Sequence, residues 1–85
     1  MAEAKRNVAR LQEAMPAFAD VLHFAWREDG QRFAADWGGL RVAVGWGDFE
    51  LFMFDRHGAL HWDARFSASA PTSLVALVIT KALEE

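Results

Sequence analysis

The chain has no cysteine, only two prolines, and no apolar run near the roughly 18 residues that a membrane-spanning helix needs. Without cysteine there are no disulfides, thiol nucleophiles or thiolate metal sites. That absence does not set a compartment, but it fits the cytoplasm, the expected location. Positive charge is not in excess either. Nine Lys and Arg stand against twelve Asp and Glu, for a net charge of −3. This balance argues against a nucleic-acid-binding field over the whole protein, though not against a local basic patch. The first residues lack the uninterrupted apolar stretch of a signal peptide, because Glu3, Lys5, Arg6 and Arg10 break it. Linkers, low-complexity tracts and internal repeats are also lacking.

Apolar and aromatic side chains are plentiful: 53% of the 85 residues are hydrophobic and 13% aromatic. A chain this short is expected to form one domain, residues 1–85. Small domains bury a modest share of their surface, so the question is whether one copy can hide so much apolar material.

The organising stretch runs from Val21 to Phe66. Five short runs there alternate with period two, which places each set of apolar side chains on one face of a strand. The sets are Leu22, Phe24, Trp26; then Phe33, Ala35, Trp37; then Leu40, Val42, Val44, Trp46; then Phe49, Leu51, Met53; and last Leu60, Trp62, Ala64, Phe66. All four tryptophans belong to them. The expected strands cover about 21–28, 31–37, 40–46, 49–55 and 59–66. Asp29-Gly30 signals a two-residue hairpin whose central residues need positive φ. Gly38-Gly39, Gly47-Asp48 and Asp55 to Gly58 supply the other turns, with Gly58 suited to a left-handed bulge position. Residues 16–26 also suit a helical period through Phe18, Leu22 and Ala25; strand from about Val21 is the favoured reading.

Helices flank this meander. Residues 2–15 are rich in good helix formers and carry a stripe of Ala4, Val8, Leu11, Met15 and Phe18. The stripe suits a helix lying on the sheet; a short coiled-coil contact between two copies is the alternative. Pro16 interrupts it, so the helix either ends near Met15 or gives way to a second short turn. The last helix is expected over 71–84, with Pro71 at its start. Leu74, Val75, Leu77, Val78, Ile79, Ala82 and Leu83 span an apolar arc of about 240°, wider than an ordinary surface helix needs. A helix like that is touched from more than one side. Lys81 suits the negative end of its dipole, whereas Glu84 and Glu85 oppose it and are expected to fray. Five strands make a sheet about 20–24 Å wide, and one helix covers about 10 Å of it. Both helices are therefore needed on one face. The expected fold is α+β, a five-stranded antiparallel meander with its terminal helices packed together on that face. Any apolar remainder would be buried by a second copy.

Trp62-Asp63-Ala64-Arg65-Phe66-Ser67, Ala70-Pro71, Leu74-Val75 and Lys81-Ala82-Leu83 form a cadence over the C-terminal half. It resembles the end of a short actinobacterial domain found in Streptomyces, the domain of unknown function numbered three hundred and seventeen. Arg27-Glu28-Asp29-Gly30 resembles that family's Ser-Pro-Asp-Gly turn. Ala70 stands where the family has a helix-capping threonine, and Glu28 where it has the turn proline. The resemblance implies a strand-rich domain closed by a helix, from an actinobacterium or one of its phages or plasmids. It implies no catalytic residues.

The opposite parity defines an outer sheet face. It holds His23, Ala25, Arg27, Arg32, Ala34, Asp36, Arg41, Ala43, Gly45, Glu50, Phe52, Phe54, His61, Asp63 and Arg65. Arg27, Arg32, Arg41, Phe52, Phe54, His61 and Arg65 are the candidate binding residues. Aromatic faces stack bases and arginines hold phosphates, so single-stranded nucleic acid is one candidate ligand. Cross-strand charge pairing on a solvated face accounts for the same residues. A third reading makes Phe52 and Phe54 a contact between two copies.

Catalytic and metal chemistry find no constellation. His57 and His61, with Asp55 and Asp63 near in sequence, lie on a hairpin where a four-residue spacing does not bring side chains together; zinc needs three or four converging ligands. Asp48, Glu50, Asp55 and Asp63 supply carboxylates without a paired arrangement. Ser67, Ser69 and Ser73 sit near a helix start, where serine caps or turns the chain. Gly45-Trp46-Gly47 lacks the third glycine and the helix of a dinucleotide loop. No enzyme, cofactor or metal is expected. The function expected is a small non-catalytic interaction module that self-associates, as a homodimer. Single-stranded nucleic acid binding, or an acidic chaperone-like adaptor holding a protein partner at a sheet edge, are the alternatives.

Overall fold

The computed structural model describes residues 1–84; Glu85, expected to fray, lies outside the described residues. Along the chain run α1 (Ala2–Ala14), a 3₁₀ turn at Pro16–Phe18, β1 (Ala25–Arg27), β2 (Arg32–Trp37), β3 (Leu40–Val44), β4 (Asp48–Phe54), β5 (Leu60–Ser67) and α2 (Thr72–Leu83). The strands form one antiparallel sheet in the order β1-β2-β3-β4-β5. This is the expected α+β meander. α1 packs over β2 and β3, α2 packs over β4, and the two helices touch each other.

The period-two pattern becomes a two-sided sheet because register carries it from strand to strand. Trp26, Phe33, Val44, Phe49 and Phe66 face one another in a row across all five strands. Ala35, Val42, Leu51 and Ala64 form the next row. Phe49, Leu51, Val42 and Val44 have no exposed surface, and Leu11, Val75 and Ile79 close over them from the helices. Each such side chain contributes about 1.5–3 kcal/mol of burial, which is what holds the helices down.

Four expectations need correcting. The first strand starts at Ala25, not Val21. Pro16 opens a 3₁₀ turn, and Val21 and Leu22 both donate to the Phe18 carbonyl at 3.0 Å. Val21–Phe24 therefore reaches the sheet as a coiled approach, although Leu22 still enters the core, at 2% exposure. The β1–β2 turn is also not a two-residue Asp-Gly hairpin. Arg27 pairs with Arg32, Gln31 donates to the Glu28 carbonyl, and Gln31 rather than Gly30 takes the positive φ, at 50°.

Trp46 is the third correction. β3 ends at Val44, which leaves Trp46 in the β3–β4 turn with 77% of its surface exposed. Trp37, on the core-side parity, is still 53% exposed at the end of β2. The fourth is Leu60. Met53 pairs with Trp62 but Phe54 pairs with Leu60, so His61 is an extra residue in β5. One inserted residue reverses parity beyond it, and Leu60 emerges 53% exposed.

α2 presses Val75, Ala76, Ile79 and Ala82 into the core but leaves Leu74 and Leu77 about half exposed. Within one copy, its wide apolar arc is covered only in part. Gly58 takes the left-handed φ (82°) its turn was expected to need.

Candidate functional site

The outer face is built on two small residues. The guanidinium of Arg32 on β2 lies against Gly45, and Gly45 donates to the Asp48 carbonyl across the β3–β4 turn. Ala34, Ala43, Glu50 and Arg65 form the row beside it. Gly45 and Ala43 carry almost no side chain, so the guanidinium of Arg32 crosses over β3 and reaches β4. There it grips Asp48 with two hydrogen bonds, at 2.6 and 3.2 Å, and approaches Glu50 at 3.1 Å. From β5, Arg65 reaches the same two carboxylates, at 2.9 Å to Glu50 and 3.5 Å to Asp48. Each acid is thus shared by two arginines from opposite sides. The hydrogen bond from Arg32 to Asp48 is the main cause holding that guanidinium above its ordinary value, and the bond to Glu50 does the same for Arg65.

Arg41 pairs with its cross-strand neighbour Asp36, at 2.7 and 3.4 Å, and that bond raises its pKa. Arg27 stands 3.8 Å from Asp29. Phe52 and Phe54 are half-buried rather than exposed. Phe52 lines a shallow hollow of ≈ 230 Å³ with Arg41, Ala43 and Glu50 on one side and Arg27 and Arg32 on the other. His61 is exposed at the bulge.

The sheet thus gathers Arg27, Arg32, Arg41, Arg65 and Phe52 on one surface, while Phe54 and His61 sit at its far end beside the bulge. Four arginines share this face with four carboxylates, Asp36, Asp48, Glu50 and Asp63. Three of the four guanidinia already spend donors on these acids. The face is close to neutral, so a phosphate chain there would have to compete with ion pairs already made. Among the described residues, no group of three or more His, Cys, Asp or Glu could hold a metal ion. His57 sits in the β4–β5 turn, where Asp55 caps its backbone N–H at 2.8 Å.

Two further features escaped the pattern argument. Asn7, on α1, is 4% exposed. Its amide donates to the Gly45 and Trp46 carbonyls at 3.0 and 3.2 Å, and its oxygen accepts from Arg10 at 3.1 Å. One polar residue on the buried stripe of α1 was the only sequence signal for this strut. The strut holds Trp46 over an open groove of ≈ 600 Å³, lined also by Glu28, Gln31, Arg32 and Asp48.

The other feature is the sheet's edges. β1 is three residues long, a length that blunts an edge. β5 is eight residues long and, among the described residues, pairs only with β4; Leu74 and Leu77 of α2 are also left uncovered.

Among the described residues, no helix is long and apolar enough to cross a membrane. No family model, curated protein or solved structure matches the chain, so the resemblance of its C-terminal half rests on the residues quoted for it.

Proposed function

We propose that the protein is a small non-catalytic interaction module that works as a homodimer. The observation that carries this reading is that a long open edge and uncovered apolar residues occur in the same small domain. β5 offers eight residues of half-satisfied backbone, and Leu60, Leu74 and Leu77 are each about half exposed. Exposed apolar groups next to an unpaired strand mark association surfaces. The near-neutral outer face supports self-association over nucleic acid, because its arginines are already matched by acids. A cytoplasmic setting and an actinobacterial or phage origin belong to the same proposal. They rest on the absence of cysteine and on the C-terminal cadence.

Light scattering coupled to gel filtration tests the reading. From micromolar to millimolar protein, the mass is expected to be about twice 9.5 kDa. A single-chain mass throughout that range sinks it. Titration with a labelled single-stranded oligonucleotide at low salt tests the nucleic-acid alternative. Saturable binding abolished by Phe52→Ala would favour it.

A further inference from the structure

The backbone of β5 specifies which of its residues a second strand would meet. Gly45 donates to the Asp48 carbonyl at 3.0 Å, so Asp48 directs its polar groups to β3 and Phe49 directs its own to β5. Phe49 pairs with Phe66, Leu51 with Ala64 and Met53 with Trp62. Ala68 likewise donates inward, to Gly47 at 3.0 Å. Even-numbered members of β5 thus spend their backbone on β4. Asp63, Arg65 and Ser67 point theirs away from the sheet, because the direction alternates along an antiparallel strand.

Resting on the dimer reading above, we propose that two copies join edge to edge through β5, antiparallel about a two-fold axis at Ala64. Outward-pointing residues exchange bonds only with outward-pointing residues, which leaves few registers. An axis at Asp63 sets two carboxylates against each other, and an axis at Arg65 sets two guanidinia. With the axis at Ala64, Asp63 faces Arg65 of the second copy and Arg65 faces its Asp63. This register also overlaps residues 61–67 in full.

The side chains are ready for that arrangement. Asp63 makes no ion pair among the described residues. Arg65 is 67% exposed, and its contacts to Glu50 and Asp48 use Nε and Nη2, leaving Nη1 unspent. Opposite charges directly across an antiparallel pair are favourable and like charges unfavourable.

The helix side of the sheet agrees. The same register sets Trp62 against Phe66 of the second copy, twice, and both side chains are only half-buried in one copy. These are non-hydrogen-bonded positions, where facing side chains come closest. Above them, α2 starts at the Ser67 end of β5 and rests Val75, Ile79 and Ala82 on the sheet. In a right-handed helix with that footing, Ala76 and Thr80 turn toward α1. Leu74 and the half-buried Val78 turn toward β5 and the second copy. The dimer would be a ten-stranded sheet whose two central strands are β5, roofed by both α2 helices, with Ala64 leaving room at the axis.

Because the chain has no cysteine, single cysteines report the register cleanly. At the non-hydrogen-bonded axis pair, Cβ atoms lie about 4.5–5.5 Å apart, close enough for a disulfide after a small adjustment. Ala64→Cys is expected to oxidise to a covalent dimer. Asp63→Cys and Arg65→Cys, each displaced along the edge from its own copy, are expected to cross-link at least about tenfold more slowly. Asp63→Arg should raise the dimer dissociation constant about tenfold or more while leaving the far-UV circular dichroism unchanged.

Preferential cross-linking at 63 or 65 overturns the register. A dimer by light scattering that none of the three cysteines cross-links, and that Asp63→Arg leaves intact, places the interface elsewhere while sparing the dimer reading. A monomer at every concentration removes both.

Discussion

Replacing Asn7 by alanine is expected to cost the domain about 2 kcal/mol, a large share for so short a chain. The amide makes two hydrogen bonds to backbone carbonyls 38 and 39 residues away in sequence. Gly45 is buried and Trp46 exposed, so water can replace the bond at Trp46 but not at Gly45. The stranded Gly45 carbonyl costs about 1–3 kcal/mol and the lost bond to Trp46 about 0.5–1.5 kcal/mol. Alanine's better helix propensity returns up to about 0.7 kcal/mol. For a domain of this size, the balance lowers the melting temperature by roughly 8–16 °C.

Urea and thermal unfolding followed by circular dichroism measure this. Asn7→Asp sharpens the test, because an ionised carboxylate would face two carbonyl oxygens with no donor to offer. Burial and the two facing carbonyl oxygens raise the folded-state pKa of that acid above its unfolded value, against the opposing pull of the Arg10 guanidinium that contacts this side chain. The variant should therefore be weakest near neutral pH and recover as the pH falls through the raised value and the group regains a proton to donate. A loss below about 0.5 kcal/mol for Asn7→Ala would refute the reasoning, since the turn would then be held without the strut.

Other substitutions probe two turns and the buried indole. Gly39→Ala should destabilise by about 1–3 kcal/mol in urea titration, because a Cβ there would overlap the Phe54 carbonyl oxygen. Gln31→Gly should stabilise by up to about 1 kcal/mol by relieving a left-handed side-chain position; an unchanged midpoint would mean the turn carries no strain. The Trp26 indole N–H is buried with no hydrogen-bond partner among the described residues, and its ring sits edge-on to Phe33 at 5.0 Å. Trp26→Phe should therefore change stability by less than about 1 kcal/mol, the lost volume offset by removing an unsatisfied donor. A loss of several kcal/mol would show the N–H to be satisfied.

The alternating apolar runs and their turns determined, by themselves, that this chain makes a five-stranded meander with one apolar face, and that Arg32, Arg41, Glu50 and Arg65 share the other. Alternation is a local property of extended backbone, so it can be read residue by residue. Composition likewise required both helices on one side, because one helix is narrower than the sheet.

Tertiary structure decided what depends on distant partners. An extra residue opposite the Met53–Phe54 step turned Leu60 outward. The length of β3 put Trp46 in a turn, and the reach of the helices left Trp37, Leu74 and Leu77 uncovered. Asn7 found its carbonyls only when α1 met the β3–β4 turn, and Arg32 its carboxylates only because Gly45 and Ala43 let it pass over β3. Period and propensity act between near neighbours in the chain, whereas register, coverage and ion pairing are settled between segments that meet only in the folded protein.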